Sequence, residues 1–324
     1  MFAGGAGGDA KAMTILVVGA GATGGYFGAR LAQAGRDVTF LVRPHRAEQL
    51  RKRGLRIVGP GAGDGAGQPV WPSLVTAADL TGHAEVVLLS VKATALEAAI
   101  ADFAPAVGPR TTVVPFLNGM AHLAVLNKRF GESPVLGGVV VIAVQLNDDG
   151  DVVQLSPPAS MTIGAQDGAR TSRVQDTCDQ LSGAGFDVST SDAIIARMWQ
   201  KWVFIATIGA MTSLMRGTVG DIVEVPGGRE LGPAILAEAS AVATAAGYPV
   251  PGDAIASTTK IVTKAGSPVD SSLSRDVAEG RHAEVEEVLA DLARRGADHG
   301  VRTPLLDLAT MQLRVYNNSR HSSP

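Results

Sequence analysis

Short apolar runs ended by glycine alternate with amphipathic stretches in the first part of the chain. Ile15-Leu16-Val17-Val18 is a mostly β-branched run stopped by glycines, residues 22–34 carry a helical pattern that Gly35 ends, and residues 38–42 form a second strand. Buried-type strands follow at 86–91 and 112–117, with a helical stretch at 94–103 between them. This β-α-β alternation specifies a parallel sheet with helices on both faces, a doubly wound α/β arrangement. Residues 59–67 are glycine-rich and polar and read as a surface connection. Residues 135–146, an Asp148-Asp149-Gly150 turn, 152–154 and 161–163 read as antiparallel strands appended to this unit. A helix over 172–181 and a short strand over 186–188 complete it.

Beyond Asp192 the pattern becomes mainly helical, with long runs at 193–215, 229–246, 252–264 and 281–299. A second, all-helical domain is therefore expected from about residue 190. The expected organisation is a disordered leader over 1–12, with Met13 as an alternative start, an α/β domain over 13–190, a helical domain over 191–316 and a disordered Ser/Asn-rich tail over 317–324. No internal repeat is visible.

Composition narrows the function classes. A chain of 324 residues, 46% apolar and 18% charged, is neither disordered nor a coiled coil. Its 28 Lys+Arg against 31 Asp+Glu leave a net charge of −3, which excludes the basic field that nucleic acids or anionic membranes attract. Small molecules are the expected partners. A single cysteine, Cys178, excludes an internal disulfide framework and a thiolate-rich metal site, and reads as a small buried side chain. No signal peptide and no long uninterrupted apolar run is recognised, so a cytoplasmic protein is expected, with no metal.

The first chemical signal is Gly19-Ala20-Gly21-Ala22-Thr23-Gly24, placed after a buried strand and opening a helix. There the first glycine makes the turn, the second lets the N–H groups of the loop, Ala22 and Thr23 approach a pyrophosphate, and the third packs helix on sheet. Instead of the acidic residue that would bond a free ribose hydroxyl, Arg43-Pro44-His45-Arg46 follows the second strand. A guanidinium there favours a 2′-phosphate, so the expected cofactor is NADPH, with Arg43 as the contact and the part of Arg46 open.

Lys92 and Asn118 follow the next two strands, at the carboxyl ends where such sheets bind ligands. Lys201 lies within Met198-Trp199-Gln200-Lys201-Trp202-Val203-Phe204-Ile205. An ammonium in so apolar a stretch must snorkel, pair or face a polar cleft, and a partly desolvated lysine can donate a proton near neutral pH. A compensating carboxylate could come from Glu284, Glu286 or Glu287 on the helix expected over 281–299, and spacing does not choose among them. Ser271 and Ser272 read as turn residues before that helix.

From Met13 to about Leu313 the chain resembles ketopantoate reductases (2-dehydropantoate 2-reductases). The likeness rests on Gly19-x-Gly21-x-x-Gly24, Arg43, Lys92, Asn118-Gly119-Met120, Trp199-x-Lys201, Ser272 and Arg281-His282-x-Glu284. The resemblance implies a Rossmann NADPH domain joined to an all-α domain like that of 6-phosphogluconate dehydrogenase, with the active site in the cleft between them. It implies reduction of the C2 carbonyl of ketopantoate to pantoate, for pantothenate synthesis. Lys201 would be the general acid, Glu284 would orient the substrate hydroxyl and the lysine, Asn118 and Lys92 would lie at the nicotinamide and cofactor edge, and Ser272 would meet the substrate carboxylate. Well-known members carry asparagines where this chain has Ile205, Gly209 and Val269. At i+4 and i+8 from Lys201, Ile205 and Gly209 would line the substrate pocket and make one wall larger and apolar. A bulkier, more apolar 2-oxo acid is thus the alternative substrate, and a non-catalytic NADP(H)-binding redox sensor the alternative from another class. The apolar C-terminal helices are compatible with a homodimer.

Overall fold

The computed structural model describes residues 13–63 and 66–321. The expected disordered leader 1–12 lies outside them, as do the last three residues of the expected tail. The chain forms two compact units. One runs to Leu117 and resumes over Leu123–Ile194; the other joins Asn118–His122 to everything from Ile195 onward.

The first unit begins with β1 (Met13–Val18), α1 (Ala22–Gln33), β2 (Val38–Leu41), α2 (Pro44–Arg53), β3 (Ile57–Val58), β4 (Ser73–Val75) and β5 (Ala84–Leu89). A 3₁₀ turn over Ala93–Ala95 leads into α3 (Leu96–Phe103), then β6 (Val107–Pro115) and α4 (Ala121–Phe130). The sheet order is β4-β2-β1-β5-β6, every pairing parallel. Its central strands read as unbroken apolar runs because both faces are covered: Ile15, Leu16, Val17, Leu88 and Leu89 are all 0% exposed. α1 lies close on this sheet because Gly28 offers no side chain; a Cβ there would come within 2.3 Å of the Phe40 ring.

A second sheet is built from β7 (Gly137–Leu146), β8 (Val152–Gly164) and, after α5 (Ser172–Leu181), β9 (Asp187–Thr190), in the order β3-β8-β7 with β9 pairing β8. The strands expected separately at 152–154 and 161–163 are one strand. The Pro157-Pro158 pair that interrupts the pattern falls where register shifts between Val141 and Val144 leave residues of β8 unpaired, the place a sheet tolerates proline.

The second unit carries α6 (Ile194–Met215), α7 (Val219–Val223), α8 (Gly228–Ala245), α9 (Gly252–Val262) and α10 (Ser272–Ala278). A π segment (Glu286–Ala290) runs into α11 (Asp291–Asp298), and α12 (Pro304–His321) follows. The helix expected over 281–299 therefore starts later, leaving Arg281–Glu284 non-helical. The cause is remote in sequence: Asn317 on α12 accepts from the Ala283 N–H (3.1 Å) and donates to the Ala283 carbonyl (3.0 Å), tying up a residue a helix would need. The same contacts correct the expected tail from 317. Asn317 is buried and the helix continues to His321.

Candidate active site

The glycine loop follows β1 directly. Gly19 has φ +96°, and a Cβ on it would lie 2.7 Å from the Ser90 carbonyl; one on Gly24 would lie 2.3 Å from the Gly19 carbonyl. Both positions need the missing side chain to bring helix and strand together. Gly21 differs, because nothing lies within 4 Å of its Cβ position. It is the N-cap of α1, without a side-chain cap and with no acidic residue in the first turn, so the N–H groups around Ala22 and Thr23 form an open positive helix end. A dinucleotide pyrophosphate fits this cradle.

Arg43 is the exposed N-cap of α2, just past β2. Arg46, one turn on, is turned to another task. Its Nε donates to the Ala20 carbonyl in the glycine loop (3.2 Å) and its Nη2 to the Gly150 carbonyl in the β7–β8 turn (2.9 Å). Arg53 holds the same turn through Asp149 at 2.6 Å. The Asp-Gly turn is thus strapped to α2, and Arg46 braces the loop from behind. Lys92 is exposed at the start of the 3₁₀ turn after β5.

The loop carrying Asn118 groups with the helical unit, beside the helix of Lys201. Gly119, at φ +73°, sits so close to the π segment that a Cβ would be 2.5 Å from the Glu287 carbonyl and 3.8 Å from the Trp202 ring. Trp202, next in sequence to Lys201, is buried and donates its indole N–H to the Val288 carbonyl at 2.9 Å. The structure thereby brings Asn118, Lys201 and the π segment into one neighbourhood. On the same helix, Trp199 and Trp202 pack at 5.0 Å between ring centroids, and the Arg295 guanidinium lies over both rings. Burial lowers the Lys201 ammonium from its usual value to about 8.

The three glutamates now separate. Glu286 is exposed and receives the Arg314 guanidinium in a two-pronged pair at 2.8 and 2.6 Å, which lowers its carboxyl. Glu287 is half-buried and pushed up by burial. Glu284 is half-buried in the non-helical segment immediately after Ala283.

Ser272 is the exposed first residue of α10. Its neighbour Ser271 is buried, caps the helix by accepting from the Ser274 N–H at 2.9 Å, and pairs with the Thr212 hydroxyl of α6 at 2.8 Å. Ile205 is half-buried and Gly209 buried on α6. Here the expectation of an enlarged wall is corrected: Leu273 occupies the space beside Gly209, 3.0 Å from where a Cβ would stand. That face of α6 is apolar but filled.

Sequence reasoning missed His122, the buried second residue of α4, neither of whose ring nitrogens has a hydrogen-bond partner. It lies four residues beyond Asn118, and its signal in the sequence is the i, i+4 spacing to Leu126, which is also buried. Leu273 and the bracing turn of Arg46 were hidden, since each depends on residues far away in the chain. Among the described residues no group of three His, Cys, Asp or Glu could hold a metal ion, and no helix is long and apolar enough to cross a membrane.

Comparison with known proteins places the chain in a family. Residues 15–168 match the profile of "Ketopantoate reductase PanE/ApbA" and residues 193–317 that of its C-terminal domain. The uncharacterized oxidoreductase YkpB of Bacillus subtilis (strain 168) is 32% identical over 304 residues, spanning 94% of this chain and 99% of its own. The crystal structure of 2-dehydropantoate 2-reductase from Methylococcus capsulatus superposes with TM-score 0.82 at 26% identity, covering 96% of this chain and 98% of that one. D-mandelate dehydrogenase in ternary complex with NADH and anilino(oxo)acetate shares the fold, with TM-score 0.85 at 20% identity over 95% of this chain and 100% of its own.

Proposed function

The chain belongs to the ketopantoate reductase family of oxidoreductases, and from that premise we propose that it reduces a 2-oxo acid with NADPH, ketopantoate to pantoate in pantothenate biosynthesis being the leading reaction. The observation that carries the proposal is Lys201, a half-buried lysine set in an apolar stretch of α6, whose ammonium burial lowers to about 8. Such a group is protonated at neutral pH and readily gives its proton up. NADPH, when bound, supplies the hydride. The open N-terminus of α1 and the glycine loop hold the pyrophosphate, Arg43 meets the 2′-phosphate, and Lys92 and Asn118 serve the cofactor edge. Lys201 Nζ hydrogen-bonds the substrate carbonyl oxygen, stabilises the negative charge growing there and passes it a proton. Glu284 orients the substrate hydroxyl and the lysine, and Ser272 meets the carboxylate.

A second reading keeps the chemistry and changes the substrate. Ile205 and the Leu273-filled space at Gly209 offer no hydrogen bond to a substrate hydroxyl, which favours a more apolar 2-oxo acid. A site built to bond a hydroxyl discriminates by about 10⁴-fold, whereas apolar contacts give about 10–200-fold. NADPH consumption measured with ketopantoate and a panel of branched and aryl 2-oxo acids separates the two. A preference for ketopantoate of about 10⁴-fold supports the first reading, a graded preference for apolar acids the second, and no turnover with any of them overturns both.

A further inference from the structure

We propose that His122 is a positioning residue for Lys201: the lysine ammonium turns onto Nε2 of its neutral, unpartnered ring, which so fixes where the proton donor stands. The inference rests on the proposed role of Lys201. Its ground is a side chain that the fold alone does not explain. His122 is 4% exposed, and its Nδ1 and Nε2 are both buried without a partner. A buried imidazole in that condition costs stability that a leucine of similar size would not.

Its surroundings are fixed. The loop from Asn118 to His122 is locked by the close approach of Gly119 to the Glu287 carbonyl and to Trp202, the residue beside Lys201. The titratable and charged groups carried by the elements around this loop are Lys201 on α6, Glu286, Glu287 and Asp291 on and just after the π segment, Arg294 and Arg295 further along α11, and Asp307 and Arg314 on α12. Of these, Lys201 acts on the ring: burial first, and then the lysine's charge, lower the imidazole to about 4. At neutral pH the ring therefore carries no charge and keeps one nitrogen free to accept. A neutral acceptor steadies an ammonium without adding a second cation.

The test compares His122→Leu, which removes the acceptor, with His122→Gln, which retains one on a side chain of similar reach, and His122→Asn, whose acceptor falls short. Two quantities are read in the full-length protein: kcat, and the pH midpoint of Lys201 acetylation by acetic anhydride, followed by mass spectrometry without cofactor or substrate. Losing an acceptor destabilises the ammonium, so the midpoint should move to lower pH in the Leu and Asn variants and stay in place with Gln. In the same two variants kcat should fall about tenfold or more, the worth of a hydrogen bond to a charged group, with KM for NADPH little changed, and Gln should restore most of it. An unshifted midpoint with full kcat in His122→Leu overturns the proposal, and so does a Gln variant as impaired as Asn. If His122→Leu fails to fold, the Gln and Asn pair decides. Because acetylation needs no turnover, a shifted midpoint in a chain that reduces no 2-oxo acid would leave this inference standing while the catalytic reading fell.

Discussion

Lys201 stands in α6 among Trp199, Trp202 and Phe204, and its lowered value has two consequences of opposite kind. For catalysis the donor is the ammonium, which disappears as pH rises through about 8. The expected kcat profile falls on its alkaline side near that pH, and Lys201→Ala should lower kcat by about 10²-fold or more; a full kcat in that variant would refute the assignment. For stability the folded value lies below the ordinary 10.5, so the folded chain binds fewer protons than the unfolded chain between the two values. The penalty is complete below about 8 and fades as pH climbs towards 10.5. Lys201→Met should accordingly raise Tm at about pH 7 and gain less at about pH 10, as thermal melts at the two pH values would show. The arginines also part at this scale. Arg43→Ala should weaken NADPH binding far more than NADH binding, while Arg46→Ala, by freeing the Ala20 and Gly150 carbonyls, should weaken both alike in titrations of the two cofactors.

Elements fit where a missing side chain lets them. The first unit depends on Gly28 meeting the Phe40 ring, and the neighbourhood of Lys201 on Gly119 meeting the Glu287 carbonyl. Gly28→Val should destabilise the fold by about 1–3 kcal/mol through overpacking, measurable by urea unfolding. Trp202→Phe removes a buried donor and strands the Val288 carbonyl, at about 1–3 kcal/mol. Here the sequence was legible for α1, β2, α5 and α6, whose period and end signals are local. It was not legible for the start of the helix after Glu284. The amphipathic pattern over 281–299 is genuine, but Asn317, 34 residues further on, binds both backbone groups of Ala283 and keeps that residue out of the helix. π segments of this kind are frequent near functional sites.

For the whole molecule, cofactor preference should appear as linkage. A ligand bound only by the folded chain adds about 2.7 kcal/mol at about 100 times its Kd. At equal concentration NADPH should therefore raise Tm more than NADH, and equal shifts would remove Arg43 from the phosphate. The chain path matters as well. Asn118–His122 leaves the run of the first unit to group with the helices, and the chain rejoins that unit at Leu123. A boundary drawn near residue 190 from composition alone could not show that excursion, since nothing in that short segment is unlike the loop of an ordinary crossover.

The chain's own order of residues determined the doubly wound sheet, the glycine loop, the basic residue after the second strand and a lysine set in apolar surroundings. These follow from period, turn chemistry and the cost of burying charge, all of which act between near neighbours. Tertiary structure alone decided that Arg46 braces the loop, that Leu273 fills the space at Gly209, that Ser271 rather than Ser272 is buried and bonded, and that His122 lies bare beside the helix of Lys201. Each of these depends on which distant backbone or side chain arrives within a few ångströms, and close packing settles that only when the whole fold has formed.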